Sequence, residues 1–339
     1  MPISISVHIA MYTTQPRTSA NIAKRQNQRI VFDVIASTEH LPNFHGKSSN
    51  RSCSLPLEDE TYLEKMLEFE VKQDDVYVVT FPKCGTTWIQ EATWLLVNNL
   101  DYEAAKKQQL MRRSPYMELK GFYGGIPFDT LEAAKHTPSP RVLKSHLPAY
   151  LVPKEIWSKK AKVVYCARNP KDMAVSFYHF HSGLGTWEGS IDEFVEDLIN
   201  NDIMYSPYFD HIWDFWQLRN EANVFFTTYE AMKRDLQKVI VDLNKFLGRQ
   251  ELSGEELNTL LNHLSFKSMK ENSSANPTEL IVTSHASKKV KPGFEFMRRG
   301  IVGSYKDELS VETQEKLDKW IAENLRKYNF TLEEIFGKI

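Results

Sequence analysis

The sequence predicts an α/β fold, a central and mostly parallel sheet flanked by helices, and three observations carry that expectation. From about Asp75, short apolar runs rich in β-branched and aromatic residues alternate with longer amphipathic stretches, the pattern of βαβ units. Polar and basic residues follow the carboxyl ends of those runs, where open α/β sheets hold their ligands. The chain's 339 residues, 42% of them hydrophobic, can fill one large core. We therefore expect a single domain over 56–339, preceded by an extension, 1–55, that is poorly ordered in part.

Within the extension Arg17, Lys24, Arg25 and Arg29 lie among Ser and Thr with no acid before Asp33, a composition resembling a transit peptide. A plain unstructured extension explains it as well, and the cytoplasm is the expected location. Asn50-Arg51-Ser52 is a glycosylation sequon by pattern only. A net charge of −2 and a pI near 6.6 give no global basic field for nucleic acid or an anionic membrane. No run approaches the roughly 18 consecutive apolar residues of a membrane span. The three cysteines, Cys53, Cys84 and Cys166, are odd in number and far apart, which suits a reducing compartment better than a disulfide framework. No Cys/His cluster with metal-ligand spacing is visible, so no metal is expected.

The first core strand is expected over Val76 to Thr80, and Ile89, Ala92, Trp94, Leu95 and Leu96 give the following segment an apolar helical face. Between them lies Phe81-Pro82-Lys83-Cys84-Gly85-Thr86-Thr87-Trp88. A helix start presents unpaired N–H groups and partial positive charge to an anion. Gly85 permits close approach, Thr86 and Thr87 add hydroxyls, and Lys83 adds a full charge. The architecture is therefore P-loop-like and nucleotide-binding, the alternative being an ordinary strand-to-helix turn. The loop is not a Walker A sequence, because Lys83 precedes its only glycine. Gly46-Lys47-Ser48-Ser49 is a decoy, with Leu41 where the first glycine of that motif belongs. Cys84 places a thiol at a helix N-terminus, where its pKa is expected to fall.

Further strands are expected over Arg141 to Lys144, Lys162 to Ala167 and Asn223 to Thr228. Lys144 and His146, two apart, point to one side of an extended backbone. A histidine at such a strand end is structural more often than catalytic, and the lysine on its face favours the catalytic reading. Arg168, ending the third strand, can clamp a phosphate or merely cap a helix, while Ser176 follows on the second turn of a helix that Pro170 starts. No Asp ends that strand, whereas kinases of the P-loop class place one there for Mg²⁺. Asn272 to Pro292, rich in Ser, Asn and Thr, reads as a long mobile loop. Val311 to Tyr328 reads as a packing helix with Leu317, Trp320, Ile321, Leu325 and Tyr328 on one stripe.

Four motifs together resemble the cytosolic sulfotransferases, which transfer a sulfuryl group from 3′-phosphoadenosine 5′-phosphosulfate (PAPS) to small acceptors. Pro82 to Trp88 resembles their 5′-phosphosulfate loop, with Cys84 for the usual serine. Lys144-Ser145-His146-Leu147-Pro148 resembles K-T-H-L-P, Arg168 to Ser176 resembles R-N-x-K-D-x-x-x-S, and Arg298 to Lys306 resembles R-K-G-x-x-G-D-W-K, with Ser304 and Tyr305 for Asp and Trp. The likeness runs from about Leu57 to the C-terminus. It implies His146 as the general base and Lys144 and Lys83 as stabilisers of the transferring group. Lys83, Cys84, Gly85, Thr86 and Thr87 would hold the 5′-phosphosulfate, and Arg168, Ser176, Arg298, Arg299 and Gly300 the 3′-phosphate. Trp88, Tyr229, Ser265, Phe266, Met269, Phe296 and Met297 would complete the cofactor site, and Tyr116, Leu119 and Phe180 would border an apolar hydroxyl acceptor such as a phenol, steroid, retinoid or xenobiotic alcohol. Lys306 to Glu315 is similar to the family's dimerisation motif, with Ser310 for Thr, which implies a homodimer; a helix capped by Ser310 is the simpler reading. The rival functions are a small-molecule kinase of related fold and a non-catalytic nucleotide-binding protein. A variant of the first reading lets the sulfate ester eliminate, giving net dehydration.

Overall fold

The computed structural model describes residues 12–16, 31–42, 50–57, 60–122, 128–283 and 289–338. Gly46-Lys47-Ser48-Ser49 and all four basic residues of the transit-like stretch lie outside them. Strands β1 (Tyr12–Pro16), β2 (Phe32–Ser37) and β3 (Asn50–Leu55) form an antiparallel sheet. Strands β4 (Val76–Val79), β5 (Val142–Ser145), β6 (Lys162–Ala167) and β7 (Val224–Thr228) form a second, wholly parallel sheet in the order β5-β4-β6-β7. All four lie within a residue of the runs read from sequence.

The parallel sheet is buried on both faces because its strands carry apolar side chains on both. Tyr77, Val79, Leu143, Val163 and Tyr165 enter one core layer, and Val76, Val78, Val142, Val164 and Cys166 enter the other. Helix α1 (Thr86–Val97) belongs to the second layer, with Ile89, Ala92, Trp94, Leu95 and Leu96 all buried. The register sets Val79, Ser145, Tyr165 and Phe226 in one row. The segments that leave these strand ends therefore open into one crevice.

The antiparallel sheet is not legible in the sequence. Asn50-Arg51-Ser52-Cys53-Ser54-Leu55 is mostly polar, and only Cys53 and Leu55, with Val34 and Ala36 of β2, join the core. Strand β3 is held by pairing with a distant segment: the Ser54 N–H donates to the Ser206 carbonyl at 2.9 Å and the Tyr205 N–H to the Ser54 carbonyl at 2.7 Å. Arg51 adds ion pairs to Asp210 (3.2 Å) and Asp214 (3.5 Å).

The stretch Asn272 to Pro292 is not simply a loop, since it contains a helix at Thr278–Thr283. The Asn-Pro-Thr composition that suggested a loop is its start signal: Asn276 Oδ1 accepts from the Thr278 N–H at 3.2 Å, ahead of a helix with Pro277 at its threshold. The C-terminal helix spans Val311–Tyr328 as expected, capped by the Ser310 hydroxyl, with Leu317, Trp320, Ile321 and Tyr328 buried and Leu325 half-buried.

Candidate active site

An open cleft lies at the carboxyl ends of β4 to β7. After β4 the chain turns through Lys83 (φ 65°) and Gly85 (φ 91°) into α1. A Cβ on Gly85 would stand 2.9 Å from the Tyr229 ring, so both conformation and space call for glycine. Thr86 Oγ1 meets Thr80 Oγ1 at 2.6 Å. The Lys83 ammonium lies against two rings, 4.5 Å from the centroid of Phe180 and 4.2 Å from that of Phe296. Burial, with Arg168, Lys144 and Arg298 nearby, pushes its pKa down to about 7. Cys84 departs from expectation: its thiol is wholly buried, and burial raises its pKa instead of lowering it.

After β5, His146 is 7% exposed and lines the cleft. Its Nδ1 lies 2.8 Å from the Thr80 carbonyl oxygen, which can only accept, so Nδ1 carries the proton and Nε2 keeps a lone pair. Burial, then the neighbouring Lys144, holds the ring well below the usual histidine pKa, hence neutral. Lys144 also lines the cleft, its ammonium 4.1 Å from the Tyr116 ring centroid, and burial lowers its pKa to about 8 although Glu118 pulls upward. The Tyr116 and Tyr205 hydroxyls share a hydrogen bond, and both rings meet His146 edge-on. Behind it, the His146 N–H donates to Glu118 Oε1 and its carbonyl accepts from His211 Nε2 at 3.0 Å. His211 Nδ1 in turn bonds the Tyr165 hydroxyl at 2.8 Å.

After β6, Arg168 joins two loops, donating to the Lys83 carbonyl at 3.2 Å and the Ile301 carbonyl at 3.3 Å, with its guanidinium 4.3 Å from the Tyr229 ring centroid. Helix α2 (Pro170–Gly183) begins at Pro170 behind an Asn169 cap and carries Ser176, His179 and Phe180 into the cleft wall. Asp172, fully buried, anchors the basic loop: it accepts from the Gly303 N–H (2.6 Å), the Ser304 hydroxyl (3.0 Å) and the Tyr305 N–H (3.2 Å). On the opposite wall Trp88 packs edge-on against Tyr229 and donates from Nε1 to the Leu264 carbonyl at 2.8 Å. Gly300 (φ 66°) lies beneath Phe266, where a Cβ would meet the ring at 2.2 Å.

The cleft thus gathers Lys83, Gly85, Thr86, Thr87, Trp88, Tyr116, Lys144, His146, Arg168, Ser176, Phe180, Tyr229, Phe266, Met269, Phe296, Met297, Arg298, Arg299 and Gly300. Three candidates do not reach its wall. Cys84 is in the core, Leu119 sits on the short turn Leu119–Phe122, and Ser265 caps the helix Phe266–Glu271 by accepting from the Ser268 N–H at 3.2 Å. Sequence reasoning missed His179, Met204, Tyr205 and Lys233 on the wall and Glu118 and His211 behind it. The P-Y-M-E run before β5 offered a signal for Glu118 alone; the others arrive from distant segments. Among the described residues no group of His, Cys, Asp and Glu could hold a metal ion, and no helix is long and apolar enough to cross a membrane.

The cleft brings cationic side chains, aromatic rings and a neutral histidine together at the strand ends, a lining that suits a group-transfer enzyme acting on an anionic nucleotide. The Sulfotransferase domain family matches residues 73–329. Sulfotransferase 1 family member D1 of Mus musculus is 38% identical over 259 residues, covering 74% of this chain and 83% of its own. The amine sulfotransferase of Oryctolagus cuniculus is 34% identical over 294 residues, covering 86% and 93%. The chain belongs to the sulfotransferase family and is an enzyme of that class. A retinol dehydratase crystallised with retinol and PAP shares the fold at a TM-score of 0.79 and 24% identity, over 94% of this chain and 98% of its own.

Proposed function

We propose that this sulfotransferase moves the sulfuryl group of PAPS to the hydroxyl of a small apolar acceptor, such as a phenol, steroid, retinoid or xenobiotic alcohol, by in-line displacement. The observation that carries the reading is the state of His146: Nδ1 tied to Thr80, ring neutral, Nε2 left to take a proton beside two lysines. As the acceptor oxygen bonds to sulfur, its proton passes to Nε2 and the bond from sulfur to the 5′-phosphate oxygen breaks. Lys83, Lys144, Thr86, Thr87 and the N–H groups opening α1 stabilise charge on the transferring group and the departing phosphate. No metal enters the scheme. Arg168, Ser176, Arg298, Arg299 and Gly300 hold the 3′-phosphate; Trp88, Tyr229, Phe266, Met269, Phe296 and Met297 enclose the nucleoside; Tyr116 and Phe180 face the acceptor. By resemblance alone, Cys84 and Ser265 serve the cofactor and Leu119 the acceptor. We further read the enzyme as a cytoplasmic homodimer joined through the Lys306 to Glu315 segment, with the single domain at 56–339.

The test begins with thermal shift. 3′-Phosphoadenosine 5′-phosphate (PAP) should stabilise the protein far more than ADP or ATP-Mg²⁺, whereas preference for ATP-Mg²⁺ means a kinase. With radiolabelled PAPS, His146→Ala should lower turnover by on the order of 10²-fold or more while PAP affinity survives. Unchanged turnover would remove His146 from the mechanism.

A further inference from the structure

Three side chains that line the cleft from the basic loop and α2, Arg298, Arg299 and His179, all turn to one carboxylate. Glu308 Oε1 accepts from Arg298 Nη2 at 2.7 Å and Arg299 Nη1 at 3.1 Å, and Oε2 pairs with His179 Nε2. Arg299 Nη2 also meets Asp307 at 2.8 Å. We propose that Glu308 is an internal counter-anion occupying the arginine pocket, which the 3′-phosphate of a bound nucleotide must displace, so that this carboxylate weakens and shortens the binding of 3′-phosphorylated nucleotides. The inference rests on the reading of Arg298 and Arg299 as 3′-phosphate ligands.

The geometry supports it in three ways. A carboxylate oxygen shared by two guanidinium groups uses the donors that a phosphate oxygen would use. Glu308 is held there firmly: it ends the turn Tyr305–Glu308, whose start Asp172 fixes through Gly303, Ser304 and Tyr305. Although burial opposes its charge, Arg298 and His179 keep its pKa below the usual carboxylate range, so it stays ionised. A phosphate arriving at the same N–H groups meets like charge at contact distance, which is unfavourable until the carboxylate swings away. Its side chain is 16% exposed and that of Arg299 beside it 35%, so the carboxylate sits near the surface.

Isothermal titration of PAP and of 5′-AMP, which lacks the 3′-phosphate, against wild type, Glu308→Gln and Glu308→Ser tests this. Both variants should bind PAP about tenfold tighter, with a correspondingly slower dissociation in stopped flow, and 5′-AMP within about twofold of wild type. Asp307→Asn, at a 65% exposed side chain that touches Arg299 alone, should change PAP affinity by less than about threefold. Unchanged or weaker PAP binding in variants that melt like wild type overturns the proposal and leaves Glu308 as a brace for the arginines. If wild type binds PAP and 5′-AMP equally, the reading of the arginines fails first and the inference with it.

Discussion

At the scale of single residues, the cleft is a cationic cluster kept partly uncharged by burial. Lys83, with a pKa of about 7, and Lys144, about 8, both lie below the ordinary lysine value because desolvation disfavours their protons, helped at Lys83 by neighbouring cations and opposed at Lys144 by Glu118. A bound polyanion reverses that balance, raising both pKa values. Nucleotide binding near pH 7.5 is therefore expected to take up protons, and the uptake should vanish below about pH 6, where both ammonium groups are already charged. Calorimetry in buffers of different ionisation enthalpy reads this directly, and a buffer-independent heat at pH 7.5 contradicts it. Lys83→Met should reduce the uptake. Lys144, His146 and Arg168 stood out in the sequence because chemistry-bearing side chains at strand ends are a local pattern. Tyr205, His211 and Glu308 did not, because only tertiary folding brings them to the site. Cys84 was misjudged because proximity to a helix N-terminus is visible in sequence and burial is not.

At the scale of elements, the four core strands were legible because parallel strands buried on both faces read as continuous apolar runs. Strand β3 was not, because it is mostly polar, sends only Cys53 and Leu55 into the core and is held by backbone pairing with the distant Tyr205 and Ser206, and β2 depends on it as a partner. Among the contacts that hold the basic loop are the Asp172 carboxylate, the Arg168 bond to the Ile301 carbonyl and the seat of Phe266 over Gly300. Gly300→Ala combines a disfavoured backbone angle with a Cβ 2.2 Å from that ring, so the loop must move. We expect PAP affinity to fall on the order of tenfold or more, with a melting temperature within a few degrees of wild type, since the loop adds only the half-buried Met297, Val302 and Tyr305 to the edges of the core layers. Wild-type affinity in Gly300→Ala would show that the loop's backbone does not shape the pocket.

At the scale of the whole molecule, a chain with net charge −2 concentrates Lys83, Lys144, Arg168, Lys233, Arg298 and Arg299 in one cleft. Local focusing, not overall charge, therefore draws an anionic nucleotide, and composition alone could not reveal it. The proposed homodimer makes its own demand. Val311, 73% exposed at the first position of the C-terminal helix, is the most exposed large hydrophobic residue described and lies within the segment assigned to the interface. Val311→Glu is expected to yield a monomer by light scattering with its fold intact, because the side chain touches no core layer. Persistence of the dimer would move the interface elsewhere.

The pairing of Ser54 with Tyr205 and Ser206 ties the cleft to a strand outside the parallel sheet. Strand β3 lies before residue 73, where the family match begins, yet it grips the backbone of a tyrosine that shares a hydroxyl bond with Tyr116 beside His146. Tyr116, Tyr205 and His146 all lie within the matched stretch, so β3 reaches the cleft only from behind, through the backbone of Tyr205 and Ser206. A change in β3 would therefore be felt at the cleft as a shift of the Tyr205 hydroxyl, with every other side chain of the cleft wall left in place.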